Sequence, residues 1–571
     1  MLYTSAFPAL SIFGLIVLMF WIFWETKNNL FWVYLWQLKN YHIGRFLAHF
    51  STTSGRRLLF SKAMFMKLAL FLMTSFLFYA IFFNQNFEIL GFNGLDFLFI
   101  VPIVWLVYVF EGAYAIFSFL TKKAKKPEFT SKIIFILPII FIPMGVASVV
   151  FAINFIYGFS QYDLYDFSII GTTFAFSLLL LDLLTPLIAS FIILLLQPIT
   201  VFARNKIIKK ATEKRKKLEN LLTIGITGSF GKSSVKEFLK TILSESFFVA
   251  TTEKNKNSEM GVSEAILETL NEKHEIFICE MGAYSRGGIK LLAKIAAPKI
   301  GILTGIGNQH LATFGSQQNI IKTKFELIDA LPEEGLAVLN WDANLIRDNF
   351  KEDKNTIRYG VDTKEDVWAE NIEVDKQQVS FKAVFKTGES LLIKANLIGK
   401  QNIANLLGAL AVAKRLGMEN EEILRGVSKI KSSQGGLDLI KHNKGFYVIN
   451  ASYSMNVAGV LAHLDYFKVW NQKKIFVMPC LIELGKTAKQ SHYELGKKIG
   501  EICDTLIVVS ADYFNYLKKG AIEVGMKSEN IFLLTKPEDQ YQKIIKTAKS
   551  GDAVFLEGRV SDYLIKKLFE K

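Results

Sequence analysis

The residues best placed to do chemistry lie between 223 and 234, which read Thr223, Ile224, Gly225, Ile226, Thr227, Gly228, Ser229, Phe230, Gly231, Lys232, Ser233 and Ser234. An apolar strand breaks here into a glycine-rich loop and then a helix. Such a turn exposes backbone N–H groups from Gly228 to Ser233 and aims a helix N-terminus at the same point, a cradle for phosphate oxygens. Lys232 is placed to neutralise β- and γ-phosphates, and Ser233 to offer its hydroxyl to Mg²⁺. With Ile at 226 the spacing is not the common GxxxxGK[ST]. It is a shorter variant, Gly228, two residues, then Gly231, Lys232, Ser233 and Ser234. The chemistry predicted is binding of a nucleoside triphosphate.

A loop of this kind needs a sheet to hold it. From 221 on, β-type apolar runs alternate with amphipathic stretches: 221–227, 275–280, 299–304, 336–340, 446–450, 473–479, 504–510 and 552–556. That alternation predicts α/β domains with mostly parallel sheets.

The first 203 residues differ in kind. Apolar residues make up 51% of the 571-residue chain, and nearly all the long apolar runs lie here. Spanning a bilayer takes about 20 apolar residues. The runs 6–24, 63–83, 96–120, 133–157 and 167–200 predict an α-helical membrane domain of five spans. The first run ends in Trp21, Phe23 and Trp24 without a small-residue cleavage site, so it is read as retained. Loop 25–62 carries Lys27, Lys39, Arg45, Arg56, Arg57 and Lys62, and loop 121–132 carries Lys122, Lys123, Lys125, Lys126 and Lys132. Eight basic residues lie between Arg204 and Lys217, whereas 84–95 and 158–166 carry none. This alternation predicts the N-terminus outside and the second half in the cytoplasm, beside ATP. Residues 30–50, aromatic and basic, are expected to lie in the inner interface, making 25–62 an interfacial segment. Glu111 and Asp182 fall at membrane depth, where ionisable groups either pair within the bundle or mark a functional site. The net charge of +15 is thus largely membrane-surface charge, and no nucleic-acid signature is present. The cysteines, Cys279, Cys480 and Cys503, have no metal-type spacing.

Thr227–Ser234 resembles the phosphate loop of the Mur ligase family, ATP-dependent amide ligases of cell-wall synthesis, and other segments follow in order. Asn255–Val262 resembles the Asn-rich segment after the second strand, and Glu280–Ala283 the strand-end acid. Gly305–Leu311 with Phe314–Ser316 resembles the family's Asn-x-x-x-x-His-Leu segment, with Gly305 in the Asn position. Lys322–Glu326 resembles the Ala-Lys-x-Glu helix, and Leu331–Asp342 the adenine-side Asn-x-Asp turn. Ile398–Asn402 with Asn405 resembles the start of the helix that closes the central domain. Ser452 and Tyr453, Ile482–Gly485 and His492–Gly496 look most like the D-alanyl-D-alanine-adding branch.

The resemblance covers about 218–571. The polar, basic composition of 204–220 makes it a linker of helical character, and the resemblance implies a central P-loop ATPase domain at 221–433 and a C-terminal Rossmann-like domain at 434–571. It further implies that the γ-phosphoryl of ATP passes to a carboxylate and an amine attacks the acyl phosphate, giving an amide. Ser233, Glu280 and His310 match the Mg²⁺ ligands. Lys324 matches a lysine that many members carbamylate, and Asn340 and Asn402 match nucleotide-side positions. Taken singly, Glu280 reads as a solvated carboxylate, His310 as a structural histidine and Lys324 as a surface lysine; the ordered set assigns them.

The C-terminal face departs from the family. Asn450 stands where an acid is expected, Gly436 where an arginine is expected, and Pro479 with Cys480 where Gly-Asp is expected. No UDP-sugar-binding domain precedes the ATPase domain; the membrane segments stand in its place. The expectation is a multi-pass ligase of the bacterial inner (cytoplasmic) membrane, acting on a carboxylate substrate that is lipid-linked and on an amino-acid or peptide amine. A catalytically impaired scaffold that recruits wall enzymes, and an ATP-driven transport role, stay open.

Overall fold

The computed structural model describes residues 6–39, 41, 43–50, 52–83, 97–158, 164–253, 256–307, 311–352, 354–452, 455–482 and 484–570. The chain divides into two units, Met1–Ala203 and Arg204–Lys571.

In the first unit, long helices run Ala6–Leu38, Lys62–Phe83, Phe97–Leu120, Ser131–Gly158 and Leu164–Leu195. Among the described residues four stretches are long and apolar enough to cross a membrane: Gly55–Tyr79, Ile100–Leu120, Ser131–Ile153 and Ile170–Leu195. The outward faces carry exposed apolar side chains such as Leu72, Phe110, Ile134 and Phe191, as lipid-facing helices do.

The first helix runs on past the predicted span 6–24. It continues to Leu38, and Trp32, Val33, Leu35 and Trp36 join a core with Ile133, Ile136, Ile140, Ala189 and Ile193. No Gly or Pro breaks residues 25–38, and the apolar stripe re-forms at helical spacing. The segment 167–200 is helical to Leu195 as one element with Pro186 inside it.

Glu111 and Asp182 pair within this unit. Lys67 forms ion pairs with both, at 2.7 Å to Glu111. Asp182 also accepts from the Trp24 indole (3.0 Å), the Asn28 amide (3.0 Å) and the Tyr108 hydroxyl (3.3 Å). One buried carboxylate therefore ties four helices together.

The second unit holds two sheets. Strands β1 (Leu222–Thr227), β2 (Val249–Thr251), β3 (Ile276–Glu280), β4 (Ile300–Leu303), β5 (Leu336–Asn340), β6 (Asn355–Gly360), β7 (Val367–Val374), β8 (Val379–Phe385) and β9 (Ser390–Ala395) form one sheet in the order β2-β3-β1-β4-β5-β6-β7-β8-β9. Pairing is parallel up to β7 and antiparallel through β8 and β9. β3, β4 and β5 are buried along their whole length, as strands covered by helices on both faces must be. β8 instead alternates buried and half-buried residues, the pattern of a sheet covered on one face.

The second sheet has the order β10 (Asp438–Lys441), β11 (Tyr447–Ala451), β15 (Ala553–Glu557), β12 (Lys474–Met478), β13 (Thr505–Val508), β14 (Ile531–Leu533), with β10 alone antiparallel. The basic segment that follows residue 203 belongs to the helix Gln197–Lys217. Its buried Arg215 donates to Thr223 Oγ1 (2.9 Å) and to the carbonyls of Ala296, Leu218 and Leu221, which seats the helix beside β1.

Candidate nucleotide-binding site

Parallel α/β sheets bind ligands beyond the carboxyl ends of their strands. The carboxyl ends of β1, β3, β4 and β5 here carry Thr227, Glu280, Thr304 and Asn340.

The loop after β1 is held from the β4 side. Thr304 donates from its hydroxyl to the Phe230 carbonyl, and its N–H donates to the Thr227 carbonyl at 3.0 Å. The Ser229 N–H donates to the Gly305 carbonyl (2.7 Å), and the Gly307 N–H to Ser229 Oγ (3.0 Å). Two glycines are required by this closeness. A Cβ at Gly228 would lie 2.1 Å from Thr304 Oγ1, and Gly231 has φ +80° with Asn405 Oδ1 2.4 Å from where its Cβ would be. Gly231 caps the helix Lys232–Leu243 without a side-chain bond, which leaves the first N–H groups of that helix open to a ligand.

Gly305, the position where the family pattern has Asn, has a local cause. The Phe230 ring lies over it, and a Cβ there would come within 2.3 Å of that ring. Phe230 and Gly305 thus form a matched pair.

Glu280 is the electrostatic centre. It is 3% exposed. It accepts from Ser233 Oγ (2.9 Å) and Asn257 Nδ2 (2.9 Å), with Lys236 Nζ at 3.5 Å, and its own N–H donates to Thr252 Oγ1 (3.1 Å). Burial pushes its pKa up, but Lys232, the Asn257 amide, Lys236 and the Ser233 hydroxyl together hold it below the usual carboxylate range. Glu280 is therefore an ionised carboxylate touching the phosphate-loop serine. Mg²⁺ is commonly held by one or two carboxylates together with substrate phosphates rather than by an all-protein cage. Ser233 and Glu280 fit that pattern. Among the described residues no group of three or more His, Cys, Asp or Glu side chains could hold a metal ion by itself. His310, the other expected metal ligand, lies outside the described residues, as do Asn255, Tyr453 and Glu483.

Lys232 folds back to donate to the Gly228 carbonyl at 2.9 Å. Burial lowers its pKa, and Glu280 opposes that shift. Lys324, on the helix Gln317–Asp329, is buried and brought down to about 7, first by burial and then by the charge of Lys232. Glu326 on the same helix takes a different role: it accepts from the N–H groups of Gly287 (2.7 Å) and Lys290 (2.9 Å) and caps the helix Gly288–Ala296.

The remaining expected residues are connected to the loop through intermediates. The Thr227 hydroxyl donates to the Met281 carbonyl (2.9 Å), and Ser234 follows in the first helical turn. Asn340 donates to the Thr304 carbonyl (2.9 Å). Asn402 donates to the carbonyls of Ile398 and Gly435 and accepts from Asn405, whose Oδ1 abuts Gly231. Its amide hydrogens are thus committed to the chain itself.

Sequence reasoning did not single out Lys236, Thr252 or Thr304. Lys236 is 2% exposed and donates to the Thr252 carbonyl at 3.1 Å. Its only advance signal was its place one helical turn after Lys232.

In the C-terminal domain the altered positions are integrated structurally. Asn450 Oδ1 accepts from the Ser452 N–H (3.2 Å). Gly436 has φ +82° at the end of a short 3₁₀ turn, a conformation an arginine would adopt only at a cost. The Cys480 N–H donates to Ser510 Oγ (2.7 Å), and its thiol packs against the Ser510 carbonyl. His492 is buried, accepts from the Leu481 N–H and stacks on Tyr513, and burial lowers its pKa. It is a structural histidine.

Residues 226–413 match the Mur ligase middle domain, and residues 437–560 match the Mur ligase glutamate ligase domain. The UDP-N-acetylmuramoyl-tripeptide–D-alanyl-D-alanine ligase of Bacillus subtilis is 26% identical over 352 residues, covering 61% of this chain and 76% of that protein. The ligase of the same name from Synechocystis is 31% identical over 296 residues, covering 51% of this chain and 62% of that protein. MurF from Thermotoga maritima, solved in complex with ADP, superposes with a TM-score of 0.57 at 25% identity, covering 64% of this chain and 83% of that one. MurF from Acinetobacter baumannii gives 0.58, also at 25% identity, covering 64% and 81%. From β1 onward, the chain belongs to the Mur ligase family of ATP-dependent ligases.

Proposed function

We propose that this protein is a membrane-anchored ligase that phosphorylates a carboxylate with ATP and joins the resulting acyl phosphate to an amine, in assembly of a cell-envelope polymer. The observation that carries it is Glu280, ionised, buried and hydrogen-bonded to Ser233 of the phosphate loop. Phosphoryl transfer asks a protein mainly for positioning and charge neutralisation. The open N–H groups ahead of Lys232–Leu243 position the phosphates, and Lys232 leaves the Gly228 carbonyl for phosphate oxygens when ATP enters. Ser233 and Glu280 would hold Mg²⁺, which neutralises charge on the transferring phosphoryl when bound. Lys324, neutral above pH about 7, is available for carbamylation, and the carbamate would be an anion beside Lys232.

The apolar helices of the first unit support anchoring in the bacterial inner membrane, and the loop charges support the ligase domains facing the cytoplasm, with the N-terminus outside. The apolar helices that precede the ligase domains in the chain support a lipid-linked carboxylate substrate. The amine is an amino acid or peptide. The test is ADP release by the full chain that requires both amine and lipid carboxylate and is abolished by Lys232→Ala. A soluble UDP-muramyl peptide used as fast as any lipid-linked carboxylate would overturn the lipid assignment.

A nucleotide-binding scaffold is the second reading. Asn450, Gly436 and Cys480 favour it, because none brings a charge to the C-terminal face. It predicts nucleotide binding without an amide product.

A further inference from the structure

Beside the carboxylate network around Asp182 lies a further acid, Glu25, with Asp182 as its nearest like charge. Glu25 is 1% exposed, and its Oε2 accepts from Thr185 Oγ1 (2.7 Å) and Asn29 Nδ2 (3.4 Å). Its Oε1 is buried and accepts from no donor among the described residues. The Trp21 indole N–H, one helical turn away, is likewise buried and donates to no acceptor among them. Both residues line one small cavity, with Asn29 and Thr185 as its other polar walls and Ile140, Leu181 and Ile188 among its apolar ones. A water-sized sphere has about 20 Å³ to move in, enough for one water molecule and too little for an organic ligand.

The cations nearby are already engaged. Lys67 bridges Asp182 and Glu111. Lys27 rests 4.6 Å from the centres of both the Trp24 and Tyr114 rings. The Tyr108 hydroxyl is given to Asp182. The helix Ser131–Gly158 presents only Ile140, Pro143 and Met144 to the cavity. Among the described residues Glu25 therefore forms no ion pair of its own, Lys67 being shared by Asp182 and Glu111, and an ionised carboxylate with an orphaned oxygen beside the like charge of Asp182 neutralises by taking up a cation. An indole N–H cannot ligate a metal cation, but it can donate to a water.

We propose that Glu25 is a reversible proton-binding site in the membrane unit, and that the cavity holds one water bridging the Trp21 N–H to the Glu25 carboxyl. The ligand is the proton. Asp182 and Glu111 both pair with Lys67 instead.

The test uses the full chain in detergent micelles, treated with dicyclohexylcarbodiimide, which modifies protonated buried carboxyls, with adducts located by peptide mass spectrometry. The expected result is an adduct on Glu25 whose yield falls about tenfold per pH unit on the alkaline side, as a protonated fraction does. It is unchanged when sodium chloride replaces choline chloride and absent from Glu25→Gln. Infrared spectroscopy reads the same state without reagent access: the carbonyl stretch of a protonated carboxylic acid is lost in Glu25→Gln and kept in Glu111→Gln. Either signal, lost in Glu25→Gln, establishes the site. Absence of both overturns it, and suppression of the adduct by sodium overturns it in favour of a metal-cation site.

Discussion

At the scale of single residues, Glu280 and Lys324 make opposite demands on burial. Glu280 stays ionised in the interior because Lys236, Asn257 and Ser233 touch it and Lys232 lies close by. Lys236→Met removes the buried cation and costs about 3 kcal/mol, since one member of a buried pair is left uncompensated. Thermal melting of the full chain measures it. With its pKa below the usual carboxylate range, Glu280 contributes stability that is present above that range and lost on acidification; Lys236→Met moves that loss to higher pH. For Lys324 the slope has the same sign but another origin, because burial disfavours its charged form in the folded state. Its pKa falls to about 7, so between there and the ordinary lysine value the unfolded state binds more protons and stability rises with pH. Carbamylation needs the neutral amine, so activity is predicted to climb through pH about 7 and to depend on dissolved CO₂. Lys324→Ala is expected to lose activity and to recover part of it with added acetate, measured by ADP release. Loss without rescue would leave Lys324 a packing role only.

At the scale of elements, the phosphate loop and the β4 turn fold as one piece. Phe230 lies over Gly305, and Thr304 bonds the loop carbonyls. Gly305→Ala is predicted to weaken ATP binding about tenfold, and Phe230→Ala to restore most of it in the double variant, a coupling of about 1 kcal/mol or more between touching residues. Calorimetric ATP titration of the four proteins measures this; additive effects would mean the two residues are not a matched pair. This is also where legibility in the sequence ends. Gly228, Gly231, Lys232 and Ser233 are legible because they are contiguous and each type has a reason for its place. Glu280 is legible because a strand ends on it. Lys236 is not, since on an amphipathic helix it looks like Lys240, which is exposed; its burial is decided by Thr252 and Glu280, distant in sequence.

At the scale of the whole molecule, each unit carries its own polar interior. The polar run Glu25–Asn29 reads as an exit from the bilayer, yet Asn28, Asn29 and Glu25 bond to one another's helix and to Asp182 and Thr185. Such partners, more than a hundred residues away, cannot be seen in a linear pattern, which is why the predicted first span ends near 24. Lys67 was invisible as the partner of Glu111 and Asp182 for the same reason. The fold of the second unit was legible down to its sheet type, because parallel strands buried on both faces leave continuous apolar runs. Lys67→Met is predicted to destabilise the first unit by about 3 kcal/mol by leaving Asp182 and Glu111 unpaired. Melting in detergent measures it, and an unchanged midpoint would contradict the pairing.

The central claim is that the ATP site drives amide formation. Purified full chain is incubated with ATP, inner-membrane lipids and an amino-acid pool, and the products are resolved by mass spectrometry. A new amide-linked lipid product is expected, formed one for one with ADP and phosphate, and absent with Lys232→Ala. ADP and phosphate released with no amide, or ATP bound and never turned over, would contradict it.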